Sequence, residues 1–537
     1  MSTSRQTAIS GAILSILGFW LVWHYGHRGL MILDHSIIFD GGYRVYLGQT
    51  MYKDFYAAYL PGVFWIQAMA FRLFGVNFSA MVLPAAICNA LGVALVMRII
   101  WRLIPGHLIP PILGGLLTCV WFQTPYGAVM HEGMAFFCTL SALWLLVDFR
   151  SFASHFLAGL CLFAAVLCKQ NAGALAALIV LPILAVQIGL RWRSAISLIL
   201  PIACGIGVGV AGLLYWARFV SDWDKFVLHA FTIPLSIGSG RLPHTAGGIV
   251  RMLSTVDSYV FPVAAVSVVI LLASAIGLAV SWRIPRREGI LTASVLAPAI
   301  LIHQSIFRAT ALNEAENGLP FFGLAFGLAV AILLDLFWNR TITVAASEGS
   351  LCLEAPAVRA LLAVPLGLSF LLTFVSGLQA DRKRVVHGFK NGAVFQDYLN
   401  IPRANHVVWG QPAQPIAGDV KQREFEELYK YLAAQSANFF VYQDATILYG
   451  LTGRTPPQPV LFFLEGHSYR RQDIPQLDDE ILASLRANNV RIFVRETAHS
   501  MPETTPLESF PKLHRWLTTD FHLVKTIGIY EIWERAH

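Results

Sequence analysis

Residues 34–75 read DHSIIFDGGYRVYLGQTMYKDFYAAYLPGVFWIQAMAFRLFG. This stretch lies between two apolar runs, near 8–24 and 78–103. Each run is about the 20 residues that a helix needs to cross a bilayer. The stretch itself carries Asp34, Asp40, Arg44, Lys53, Asp54 and Arg72, too many charges to span. It therefore reads as a long connection on one side of a membrane. Its second half, Pro61 to Gly75, is apolar but too short to cross, and dense in Phe and Trp. That pattern suits a helix lying in the interface with its rings at headgroup depth. A cap that only shields the spans fits it equally well.

Working outward, the chain has 537 residues, 56% hydrophobic and 13% charged. A soluble protein usually carries about a quarter charged residues. This composition excludes an ordinary cytosolic enzyme, a disordered protein and a secreted disulfide scaffold. Charge is also unevenly placed. Residues 1–378 hold 21 Lys and Arg against 14 Asp and Glu, whereas residues 379–537 hold 18 of each. The basic excess thus belongs to a membrane part, where Arg flanks the spans, and is no argument for nucleic-acid binding.

Eleven spans are expected, near 8–24, 78–103, 107–123, 133–148, 155–168, 172–190, 195–216, 259–281, 289–306, 319–338 and 359–378. No small-residue cleavage site follows the first, so it reads as an anchor rather than a signal peptide. One set of connections holds Arg5, Arg98, Arg102, Arg150, Arg191, Arg193, Arg283, Arg286, Arg287, Arg340 and Arg359. The short loops of the other set hold only Lys169 and Arg308. Basic loops stay cytoplasmic, which puts the N-terminus inside and residues 379–537 outside. The expected architecture is an all-α polytopic membrane domain, residues 1–378, with long outer loops 25–77 and 217–258. A small C-terminal α/β domain, 379–537, follows on the outer face.

In that domain, residues 421–434 and 478–487 have helical periodicity. NFFVY (438–442), VLFFL (460–464), VRIFV (490–494) and IGIYEIW (527–533) read as strands. Nothing in it looks catalytic, and its expected roles are covering a site or holding an acceptor. The seven cysteines fall in spans or in the loop 339–358, so they make no disulfide framework outside. The chain contains no P-loop, no GxSxG, no zinc-spaced His/Cys cluster and no fixed-period repeat.

Function is expected on the outer face, where loops are long. Asp34, Asp40, Asp54 and Glu132 are its carboxylates nearest the bilayer, where desolvation is costly and charged groups tend to mark sites. A general base acting on a sugar hydroxyl must be such a group. Each also has a structural alternative. Glu132 complements the N-terminus of the helix that starts beside it, and Asp54 pairs with Lys53 or caps a turn. Lys169 and Arg308, at the mouth of a membrane cavity, suit a lipid phosphate. Their alternatives are snorkelling for Lys169 and a pair with Glu314 for Arg308.

The set Asp34…Gly48-x-x-x-Tyr52-Lys53-Asp54-Phe55…Pro61-Gly62…Phe71-Arg72-Leu73-Phe74-Gly75 resembles the first outer loop of GT-C glycosyltransferases, polytopic enzymes that use polyprenyl-phosphate sugars. The protein O-mannosyltransferases and the aminoarabinose transferase of lipid A are members. Glu132, the Lys169-Gln170-Asn171-Ala172-Gly173 element, Arg308…Asn313-Glu314…Pro320 and Tyr449–Arg454 resemble later family features. The fourteen-residue step from Asp34 to Gly48 favours Asp34 over Asp40 as the family's loop-one aspartate. The resemblance implies Asp34 as base, with Glu132 and Asp54 beside it in the site. It implies Lys169 and Arg308 as donor-phosphate ligands. Glu132 is the implied ligand of any divalent cation. Where the family often has Asp-Glu, an aspartate and Pro-Pro, this chain has Asp34-His35, Glu132 and Pro61-Gly62.

The implied partners are a polyprenyl-phosphate sugar donor, a lipid, glycan or protein acceptor, and membrane lipids, in a bacterial inner membrane. Two rivals compete. An O-antigen polymerase or ligase would use outer-loop residues such as Arg241 and His244. A lipid or glycan transporter would carry charged or broken helices at mid-membrane and related halves.

Overall fold

The computed structural model describes residues 3–190, 192–236, 261–281, 287–311, 319–338, 342–346, 349–353, 355–383, 393–412, 420–465, 468–498 and 505–535. All eleven apolar segments are helical. They are α1 (Thr3–Gly26), α4 (Ser79–Leu103), α5 (Ile109–Trp121), α6 (His131–Asp148), α7 (Phe152–Cys168), the nearly continuous α8 (Gln170–Leu175) and α9 (Ala177–Leu190), and α10 (Ala195–Phe219). Then come α12 (Phe261–Val280), α13 (Arg287–Ala311), α14 (Phe322–Phe337) and α15 (Ala355–Lys383). Six of them are long and apolar enough to cross a membrane by themselves, and the chain is a multi-pass membrane protein. Among the shorter ones, α14 is buried continuously from Phe322 to Leu334. A helix that is apolar all round belongs in the middle of a bundle.

The connection 25–77 holds α2 (Ile32–Tyr46) and α3 (Gly62–Phe74). α3 is two-faced, with Phe64 and Phe71 buried while Met69, Leu73 and Phe74 are exposed. At Gly62 a Cβ would lie 2.6 Å from the Leu167 carbonyl oxygen. Only glycine lets α3 start this close to the end of α7, which gives the Pro61-Gly62 pair a packing reason.

The bundle has two distinct ends. At one, Arg98 grips Asp148 through Nε and Nη2 at 2.8 and 2.9 Å, Arg150 meets Glu288 at 2.7 Å, and Arg359 donates to the Trp338 carbonyl. At the other, α1 ends, α4 and α6 begin, α7 ends, and a C-terminal α/β unit sits on top. The connection between α14 and α15 contains a hairpin, β1 (Ile342–Ala346) and β2 (Gly349–Leu353).

The last bundle helix, α15, runs on to Lys383, past residue 378. Beyond it, β3 (Ala393–Tyr398) and β4 (Val408–Pro412) pair antiparallel. A four-stranded sheet follows in the order β5 (Asn438–Tyr442), β6 (Val490–Glu496), β8 (Tyr530–Arg535), β7 (Phe521–Ile527), with only β5 and β6 parallel. Helices α16 (Gln422–Ala434), α17 (Ile447–Thr452), α18 (Leu477–Ala487) and α19 (Pro511–Asp520) complete the unit.

Two strand expectations change. VLFFL (460–464) joins no sheet. It lies against the 25–77 connection, where Tyr56 N donates to the Pro459 oxygen at 2.8 Å and Leu461 N to the Tyr56 oxygen at 3.3 Å. Its apolar run is there to be buried between two surfaces, and periodicity does not separate that from strand pairing. IGIYEIW is split by a turn at Gly528 (φ +56°), so that Ile527 ends β7 and Tyr530 starts β8.

Backbone and side-chain bonds dock the unit on the bundle. Gly29 N and Val408 N bond the Val408 and His27 oxygens at 2.7 and 2.9 Å, and Phe78 N bonds the Arg403 oxygen at 2.8 Å.

Candidate functional site

α2 carries three charged residues that matter, and the structure separates their roles. Asp34 lies in its first turn, where a carboxylate complements the helix N-terminus. Asp40 is fully buried one and a half turns on, 3.0 Å from Arg44 Nε. Burial, against the pull of Arg44, pushes its carboxyl up to about 6. Arg44 Nη1 in turn donates to the Gln458 carbonyl at 2.7 Å. Asp40 is therefore half of a buried pair that ties α2 to the C-terminal unit. The helix stops at Gly48, whose φ of +91° lies in the region that glycine adopts most cheaply. The Gly of the motif is thus a backbone requirement.

Asp54 is exposed, and its Oδ2 accepts from Thr50 N at 2.7 Å. It caps the turn after α2. Tyr52, with φ +69°, is buried against Phe226 and Trp216, and its hydroxyl donates to the Tyr59 carbonyl. This packing sets the course of the chain toward α3.

The C-terminal unit, in which the sequence shows nothing that looks catalytic, brings two buried carboxylates up to α2. Ile447 N donates to Ser36 Oγ at 3.2 Å, seating the start of α17 on the first turn of α2. That contact brings Asp444, two residues beyond β5, toward Asp34. Burial first, and then the Asp34 carboxylate, push Asp444 up to about 7. Glu496 ends the parallel neighbour β6, and its Oε1 accepts from Asp444 N at 3.1 Å and Ala445 N at 3.0 Å. Burial and the nearby Asp444 push Glu496 well up as well. Asp444 and Glu496 stand 52 positions apart in no motif, and only the parallel pairing of β5 with β6 brings them together.

Glu132 and Lys169 are also brought together. Glu132 lies in the first turn of α6, and Lys169 adopts an extended backbone (φ −154°, ψ 118°) between α7 and α8. Lys169 Nζ donates to Glu132 Oε1, and their side chains are only 17% and 10% exposed. The lysine has no acidic neighbour in sequence but has one in space. The adjacent His131 stacks on Tyr59 at 4.2 Å and meets the edge of Phe64 at 5.4 Å. Phe64 also presses on Gly41 of α2. Phe64 of α3 thus touches both α2 and the start of α6.

Arg308 lies on the last turns of α13, but its side chain is outside the described residues, as are Glu314, Arg241 and His244. Among the described residues no group of three or more His, Cys, Asp or Glu is placed to hold a metal ion. Glu132 already answers to Lys169, so its surroundings do not fit a divalent cation as they stand.

This architecture, a polytopic helical bundle with an α/β unit on one face and two helices in its first connection, is shared with solved structures. The solved structure of ArnT from Cupriavidus metallidurans bound to undecaprenyl phosphate matches with TM-score 0.53 and 13% identity, over 99% of this chain and 98% of that one. The apo structure of the same protein matches with TM-score 0.54 and 14% identity over the same shares. The arabinofuranosyltransferase AftD from mycobacteria matches more loosely, with TM-score 0.47 and 14% identity over all of this chain and 40% of that one. No protein-family model and no curated protein matches the sequence.

Proposed function

We propose that this protein is an integral membrane glycosyltransferase that moves a sugar from a polyprenyl-phosphate donor to an acceptor hydroxyl, with inversion. The observation that carries the reading is the position of Asp34. It sits in the first turn of α2, on the face where the bundle helices end, beneath the turn that holds Asp444. A carboxylate there meets a donor held at the membrane surface and an acceptor arriving from outside. The Arg-rich opposite end is cytoplasmic by the positive-inside rule, so the site faces outward in a bacterial inner membrane.

The chemistry follows from these groups. The donor phosphate displaces Glu132 from Lys169, whose ammonium then stabilises the negative charge that develops on the leaving phosphate. Asp34 takes the proton of the acceptor hydroxyl as that oxygen bonds the anomeric carbon. The bond from this carbon to the phosphate oxygen breaks, and polyprenyl phosphate leaves with the electron pair. Glu132, once released, orients the acceptor. The covering C-terminal unit and the aromatic residues of the 25–77 connection exclude water, which would otherwise hydrolyse the donor.

The test is transfer or sugar release from a panel of radiolabelled polyprenyl-phosphate sugars, comparing wild type with Asp34→Asn. Consumption of one donor by wild type, falling by roughly 10²–10⁴ in the variant, is expected for loss of a general base. A variant as active as wild type removes Asp34 from the mechanism. If wild type consumes no donor, the glycosyltransferase reading fails.

A further inference from the structure

A cavity of about 270 Å³ opens where three pieces of chain meet: Tyr56 of the first connection, the segment after α10, and the C-terminal unit. The segment after α10 forms α11 (Trp223–Val227) and then a π-helical turn, Leu228–Thr232. Such wide turns are rare and recur at functional sites. This one presents His229, 1% exposed, whose ring stacks on Tyr56 at 4.3 Å and lines the cavity. One ring nitrogen is held by the Ser468 backbone, while the buried Nδ1 has no hydrogen-bond partner among the described residues. Burial and the Lys225 charge lower this histidine to about 3, so the ring is neutral. A neutral imidazole that donates through one nitrogen can only accept at the other. Nδ1 thus calls for a hydroxyl donor.

The remaining lining has the same preference. Tyr56 Oη donates to Glu480 Oε2 at 3.1 Å, and Lys225 Nζ meets that same oxygen at 3.2 Å. Asp222, Asp224 and Asp473 add three more carboxylates. Against these four carboxylates stand Lys225 and Arg470, which pairs with Asp473 at 3.2 Å, so the balance stays negative and the cavity offers acceptors to O–H groups. Gln170 Nε2 donates to the Ala230 oxygen at 3.2 Å, joining the π turn to the residue after Lys169. The π turn that lines the cavity is thus tied to the segment that carries Lys169.

We propose that this cavity is an acceptor subsite for an uncharged saccharide, whose hydroxyls donate to His229 Nδ1 and to the carboxylates of Glu480 and Asp224. Its role as acceptor site rests on the glycosyltransferase reading, whereas its preference for a neutral polyol rests on the lining alone. The test uses the full chain in detergent, with neutral mannotriose, arabinotriose and cellotriose and the same sugars phosphorylated, followed by saturation-transfer NMR. At least one neutral trisaccharide should bind, and its phosphorylated form should bind about tenfold more weakly or worse. His229→Ala and Asp224→Asn should each weaken the neutral ligand severalfold. Asp224 is exposed, so its replacement leaves the fold intact even if His229→Ala does not. Preference for the phosphorylated sugar, no binding of any neutral one, or unchanged binding in Asp224→Asn and a folded His229→Ala would overturn the proposal. Undecaprenyl phosphate binding is measured on the same sample. Saccharide binding without it sinks the enzyme reading and spares the subsite, and the converse sinks the subsite alone.

Discussion

Replacing Asp40 separates a structural carboxylate from a catalytic one. In the native fold Asp40 and Arg44 are 3.0 Å apart, and their side chains are 0% and 1% exposed. Removing one partner of such a pair leaves a buried charge with no counterion, which costs about 3–5 kcal/mol. Asp40→Ala should therefore lower stability by that order. The loss should appear first in the C-terminal unit, because Arg44 Nη1 also holds the Gln458 carbonyl. The double variant Asp40→Leu/Arg44→Met removes both charges and should recover most of the loss. It should fall short by about 1–3 kcal/mol, because the Gln458 oxygen stays buried without its donor. The assay is thermal unfolding in detergent, with limited proteolysis to follow release of the unit. If Asp40→Ala melts like wild type, the pair does not hold the unit. If the double variant is worse than the single one, the charge argument is wrong.

Other expectations follow from the same geometry. Asp444 has a folded-state pKa raised to about 7 from 3.8, so the fold favours its protonated form. That contribution is fully present below about pH 3.8 and is lost as pH rises toward 7. Asp444→Asn should flatten the loss, so that melting curves of wild type and variant at pH 4.5 and 8 diverge only at the higher pH. Glu132→Gln frees Lys169 from a carboxylate and should tighten undecaprenyl phosphate binding about tenfold, or ~1.4 kcal/mol. Equilibrium binding that weakens or stays unchanged would remove the competition between Glu132 and the phosphate. Asp54→Ala loses one exposed bond to Thr50 N and should cost about 0.5–1.5 kcal/mol. A loss of 3 kcal/mol or more in chemical unfolding would show that Asp54 does more than cap its turn.

The spans were legible because a bilayer imposes a length and a composition that no local context can alter. All eleven nominated segments are helical, as are 421–434 and 478–487 in the C-terminal unit, whose apolar spacing is strongly periodic. Glu132, Asp34 and Lys169 were picked out because charge near a membrane is scarce, and scarcity is visible in a sequence. What each touches was not. VLFFL looks like a strand by itself, and only the chain it lies against decides otherwise.

By itself, then, the sequence determined a multi-spanning bundle and the carboxylates and lysine worth testing. Tertiary structure alone decided that the Asp40–Arg44 pair is buried and bound to the Gln458 carbonyl, and that Glu132 holds Lys169. It also decided that Asp444 comes to Asp34 from more than 400 residues away, with Glu496 beside it. The physical reason is one of range. Hydropathy and helix periodicity are properties of neighbouring residues, whereas a carboxylate's distant partner and its exposure depend on segments that meet only when the chain has folded.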